Sequence, residues 1–99
     1  MKVNEKLFDA VRISLDYEEV DTFATQKINQ YITRGKQLLR MRAPDLTDEN
    51  FSDERSLEHT LLLDYCRYAN SNATEEFVKN YSAELLSLRQ SYEVRAFGS

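Results

Sequence analysis

The sequence predicts an all-α fold: a small bundle of about four helices with a long second helix and an extended C-terminal tail. Three observations predict it. Apolar residues recur at steps of three and four along most of the chain. Only two glycines and one proline occur in 99 residues, too few for the tight turns of a sandwich or barrel. No Asn-Gly or Asp-Gly pair is present to turn a hairpin.

The first predicted helix runs from about Lys2 to Ile13, with Leu7, Phe8, Val11 and Leu15 at helical spacing. Asp16 then reads as the N-cap of a second helix. Glu19, three residues on, completes a capping box. The second helix is predicted to be the longest. Val20, Phe23, Ala24, Ile28, Tyr31, Ile32, Gly35, Leu38 and Leu39 form an apolar stripe over about six turns. Gly35 inside that stripe costs about 1 kcal/mol relative to Ala. It is either a tolerated interior glycine or a point of close approach by another helix or subunit, and close packing is preferred. Pro44 ends the helix, because the residue before a proline disfavours helical dihedrals.

Residues Asp45 to Asp53 read as a polar, acidic loop pinned by Leu46 and Phe51. The third predicted helix spans about Glu54 to Ala69. It is apolar on more than one face, through Leu61, Leu62, Leu63, Tyr65, Cys66 and Tyr68, so it is expected to be central or covered by a neighbouring subunit. Asn72 with Glu75 reads as a second capping box. The fourth helix carries Phe77, Tyr81, Leu85, Leu88 and Tyr92 on one stripe. Val94 to Ser99 lose the pattern and read as an extended tail.

Composition narrows the function. Thirteen Lys or Arg against seventeen Asp or Glu give a net charge of −4, which argues against general nucleic-acid binding. The 99 residues suit a single domain spanning positions 1–99. No apolar run is long enough to span a bilayer, so no membrane role is expected. The start, Met1 to Lys6, leads into no signal-peptide stretch, so secretion is not expected.

The chemical inventory is sparse. His59, the single histidine, has no nucleophile motif beside it and reads as structural or solvent-facing. Cys66, the single cysteine, falls on an apolar helix face and reads as a buried, inert thiol. Asp45, Asp48, Glu49 and Asp53 lack the spacing and turn glycine of a calcium loop. No catalytic, cofactor-binding or metal-binding residue is therefore assigned, and no enzyme is expected. Arg34, Lys36, Arg40 and Arg42 form one basic cluster at the C-terminal end of the second helix, where cations offset the negative helix end. The acidic loop just downstream, with Asp48 and Glu49, offers them partners within the subunit or across an interface. Six tyrosines and five phenylalanines exceed what a thin helical core needs. Tyrosine favours interfaces, which marks Tyr65 and Tyr68 as contact candidates that would not both face one intramolecular core.

The run from Leu61 through Ala73, with its continuation from Glu76-Phe77 to Leu88, resembles the core of head–tail connector (adaptor) proteins of tailed phages. In prophages of Gram-positive bacteria such proteins read Leu-Leu-x-Asp-Tyr-Cys-Arg-Tyr, then Asn-rich residues, then a helix ending Glu-Leu-Leu-x-Leu. Here those stretches are Leu61 to Tyr68 and Glu84 to Leu88. The front half agrees only in pattern, and the basic end from Gln37 to Arg42 is longer than in many relatives. The resemblance implies a non-enzymatic helical subunit, made in the bacterial cytoplasm and found at the head–tail junction of the virion. It implies a homo-oligomeric ring beneath the portal protein that extends the DNA channel and docks a stopper or tail-completion protein. DNA would pass through without specific binding. It also implies that the C-terminal tail, Val94, Arg95, Ala96 and Phe97, reaches the portal. In such a ring, Arg40 and Arg42 would meet the Asp48 and Glu49 loop of the next subunit. The alternative is a small helical regulatory protein that binds DNA or a protein partner through the Arg34 to Arg42 cluster.

Overall fold

The computed structural model describes the backbone of residues 3–18 and 20–98 and the side chains of 5–18 and 20–93. Among the described residues there are six helices and no strand: α1 (Val3–Ser14), α2 (Thr22–Arg40), α3 (Asp48–Ser52), α4 (Leu57–Asn70), α5 (Thr74–Asn80) and α6 (Ser82–Gly98). The all-helical class agrees with the sequence reading. The count of about four does not, for two local reasons given below.

Helix α1 ends in a turn that reassigns Asp16. Its backbone is left-handed, with φ 61°. The Asp16 N–H donates to the Ile13 carbonyl at 3.0 Å, and the Tyr17 N–H to the Arg12 carbonyl at 3.1 Å. That pair of bonds is a Schellman C-terminal cap, and Asp tolerates the left-handed position better than most residues. Asp16 thus stops α1 and does not start α2, and Glu19, the other half of the expected capping box, lies outside the described residues. The N-cap of α2 is Asp21, whose Oδ1 accepts from the Ala24 N–H at 2.8 Å.

The broad stripe expected on α2 divides in two. Ile28, Ile32, Gly35 and Leu39 are buried, whereas Phe23 is 69% exposed. At 3.6 residues per turn a single face cannot include position 23 with positions 28 and 32.

The segment read as a loop contains α3. Thr47 and Asn50 form its capping box: the Thr47 side chain accepts from the Asn50 N–H, and the Asn50 side chain accepts from the Thr47 N–H. Leu46 and Phe51 pin the segment as expected, both fully or almost fully buried. Ser56 caps α4 by accepting from the His59 N–H at 3.0 Å.

Asn72 repeats the role of Asp16. With φ 55°, it ends α4 in a second Schellman turn, closed by Ala73 N–H to the Tyr68 carbonyl at 2.8 Å. The N-cap of α5 is Ala73, with no side-chain cap, so the expected Asn72–Glu75 box does not form. The single predicted fourth helix breaks at Tyr81 into α5 and α6. Its stripe survives the break: Phe77, Leu85 and Leu88 are buried, and Tyr81 and Tyr92 pack against the core.

The backbone of residues 94–98 continues α6, which corrects the expectation of an extended tail. Loss of amphipathic pattern does not end a helix that is already nucleated. Each added residue gains one bond without a new nucleation cost, and no breaker precedes Gly98. Helix α4 is central, as expected, and touches each of the other five helices. The buried apolar side chains form one cluster around it.

Candidate functional site

The basic end of α2 and the helix α3 come together as one assembly. Lys36 Nζ donates to Asp48 Oδ1 at 2.9 Å, and Arg40 Nη2 donates to the same oxygen at 3.3 Å. Arg40 Nε also donates to the Leu46 carbonyl at 3.0 Å. Both cations lie over the buried Phe51 ring, Lys36 at 5.7 Å and Arg40 at 5.3 Å from its centroid. The Lys36 hydrogen bond, above all, holds the Asp48 carboxyl below its usual range, against the opposing effect of partial burial. The partner of Arg40 in this chain is therefore its own Asp48. Arg42 donates from Nη1 to the Leu38 carbonyl at 3.3 Å, on its own helix end. Glu49 is exposed on α3 and Arg34 is exposed on α2.

The tyrosines form a second assembly. Tyr65 and Tyr68 both pack edge-on to Phe77, at centroid distances of 5.5 and 5.7 Å. Tyr81 stacks on Phe77 at 4.7 Å and meets Tyr68 edge-on at 5.6 Å. The expectation that Tyr65 and Tyr68 could not share one intramolecular core is corrected. They occupy neighbouring turns of α4, and one Phe ring between them offers an edge site to each. Burial, first, and then hydrogen bonding to Asp64 push the Tyr81 phenol up to about 12. Burial also raises Tyr65. A cleft of about 400 Å³ opens beside this cluster, between Asp64 and Arg67 on α4 and Glu76 on α5.

The remaining polar groups hold the fold. His59 is buried, with Nδ1 2.7 Å from the Phe51 carbonyl oxygen. Cys66 is fully buried, and burial pushes its thiol up to about 12, far from a reactive thiolate. Glu58 was not singled out by sequence. It is 7% exposed and accepts from the Tyr92 hydroxyl at 3.0 Å, which ties α4 to α6. Its only sequence signal was its place one residue before His59, which periodicity alone does not read as buried. Among the described residues, no three His, Cys, Asp or Glu side chains gather as a metal site requires. No helix among them is long and apolar enough to cross a membrane. The side chains of Val94, Arg95, Ala96 and Phe97 lie outside the described residues.

Comparison with protein families, with curated proteins and with solved structures yields no match to this chain.

Proposed function

We propose that the chain is a non-enzymatic head–tail connector (adaptor) subunit of a tailed phage or prophage. It assembles as a ring under the portal protein, extends the DNA channel and docks the stopper or tail-completion protein. The observation that carries this reading is the run from Leu61 to Leu88, with its resemblance to that family. In the fold this run makes up α4 after its first turn, all of α5 and the first part of α6, the central helix and the two that follow it.

Two further features support it. Ile13, Leu57 and Leu86 are apolar and exposed on three different helices, and a head-to-tail ring needs two unlike surfaces on each subunit. A net charge of −4 suits a channel through which DNA slides without sticking. The alternative of DNA binding through the basic cluster is weakened, because Lys36 and Arg40 converge on Asp48 and Phe51 within the chain. Of the four charged residues expected at the subunit interface, Arg42 and Glu49 are then the two outside the Arg40–Asp48 pair. The portal contact falls on residues 94–97 as the last turns of α6 and not as an extended arm.

The test mixes the purified chain with portal rings from the same phage genome and images them by electron microscopy. An added ring of density below the portal is expected. Deleting residues 94–99 should abolish it while the rest of the helical circular dichroism persists. Portal rings that stay bare with the full chain overturn the reading. Salt-dependent duplex binding that falls when Arg40 and Arg42 become Ala would favour the regulatory alternative.

A further inference from the structure

Helix α2 carries a second stripe beside its buried one. Phe23, Lys27, Tyr31, Arg34, Leu38 and Met41 follow one another at steps of four, four, three, four and three. That spacing keeps them on one face, about a third of a turn from the buried face, and it is the rhythm of a helix-pairing seam. At its start, the Phe23 ring projects 69% exposed, with Lys27 Nζ 5.6 Å from its centroid. At its end lies a groove of about 390 Å³ between α2 and α5. Leu38, Met41, Tyr65 and Val78 supply its apolar walls, and Arg34 and Glu75 stand at it as charges. Met41 is 79% exposed.

A projecting aromatic ring and an apolar groove thus sit at opposite ends of one stripe, about 27 Å apart along the helix. We propose that α2 of one copy packs antiparallel on α2 of a second copy, so that Phe23 of each enters the groove of the other. A two-fold axis between Tyr31 and Arg34 sets Lys27 opposite Leu38 and brings Phe23 to Met41. The charges agree with this register. Lys27 of one copy arrives at the groove that Glu75 borders in the other. Arg34 comes over the Tyr31 ring across the axis, a favourable cation–π arrangement. A two-fold contact is self-complementary, so one knob and one groove per chain are both filled in a closed dimer. This dimer is independent of the connector reading, whose ring is head-to-tail.

Sedimentation velocity of the full chain over a wide concentration range tests it. A monomer–dimer equilibrium is expected. Phe23→Asp and Met41→Asp should each weaken it at least about tenfold, as the loss of an anchor seated in an apolar pocket does, with unchanged helical circular dichroism. Lys27→Glu should weaken it, and adding Glu75→Lys in the same chain should restore it. The double variant Phe23→Cys with Met41→Cys should oxidise to a single, doubly linked dimer, since the two positions are too far apart to join within one chain. A wild-type chain that stays monomeric throughout, or a dimer indifferent to Phe23→Asp, overturns the proposal. A ladder of linked species from the double variant also overturns it, and leaves a ring-forming connector standing.

Discussion

The imidazole Nδ1 of His59 and the carbonyl oxygen of Phe51 lie 2.7 Å apart, which fastens α3 to the first turn of α4. The carbonyl can only accept, so Nδ1 carries the proton. Both residues are buried, and a buried carbonyl stripped of its donor costs about 1–3 kcal/mol. His59→Ala should therefore lose about 2 kcal/mol in urea unfolding. His59→Asn places an amide N–H near the same point and should recover about half of that loss.

Gly35 should not tolerate the most conservative enlargement. A Cβ there would stand 2.5 Å from Leu62 Cδ1 and 2.8 Å from Tyr65 Cδ1. Ala gains about 1 kcal/mol of helix propensity, whereas overpacking a dense core costs about 1–3 kcal/mol. Leu62 is fully buried and has little room to retreat, so the second effect wins. Gly35→Ala should lower stability by about 1 kcal/mol. Leu62→Ala should then cost less in that background than in the wild type, which thermal unfolding of the four proteins of the cycle would show.

Asp48 predicts a pH dependence. Its folded carboxyl sits below its ordinary value of 3.8, so the pair's contribution is fully present above that value. It is lost as pH falls through the lower, folded value. Asp48 is nearly half exposed, so solvent screening limits the worth of the pair to roughly 0.5 kcal/mol. The stability gap between wild type and Asp48→Asn should be constant above about pH 5, shrink below pH 4, and narrow in high salt at neutral pH.

The two left-handed turn residues differ from their surroundings in what they would gain from glycine. Asn72 stands at φ 55°, where Gly has no Cβ to strain. Asn72→Gly should raise stability by about 0.5 kcal/mol, and Asn72→Ala should lower it by about 1 kcal/mol, both read from thermal midpoints.

The apolar periodicity of this chain reported its core faithfully where one face was at stake. The stripe through Phe77, Leu85 and Leu88 is buried, Leu46 and Phe51 pin their segment, and Gly35 marks a close approach by α4. Periodicity failed where two faces were merged, since Phe23 and Ile28 share a helix but not a side of it. Cap chemistry was misread in direction. Asp16 and Asn72 suit both a helix start and a left-handed stop, and only the carbonyls they meet decide between the two. Helix α3 was missed because its capping box uses Asn50 where the familiar pattern has Glu or Gln. The pairing of Arg40 with Asp48 was legible as charge but not as geometry, because either a neighbouring subunit or the same chain could supply the partner.

The contact at Gly35 also sets an order in which this sequence can change. Leu62 and Tyr65 both stand where a side chain at position 35 would have to grow. A larger residue at 35 is acceptable only after position 62 has become smaller, while a smaller residue at 62 leaves a void for as long as 35 remains glycine. Each single step descends before the pair recovers, so positions 35 and 62 drift together or not at all.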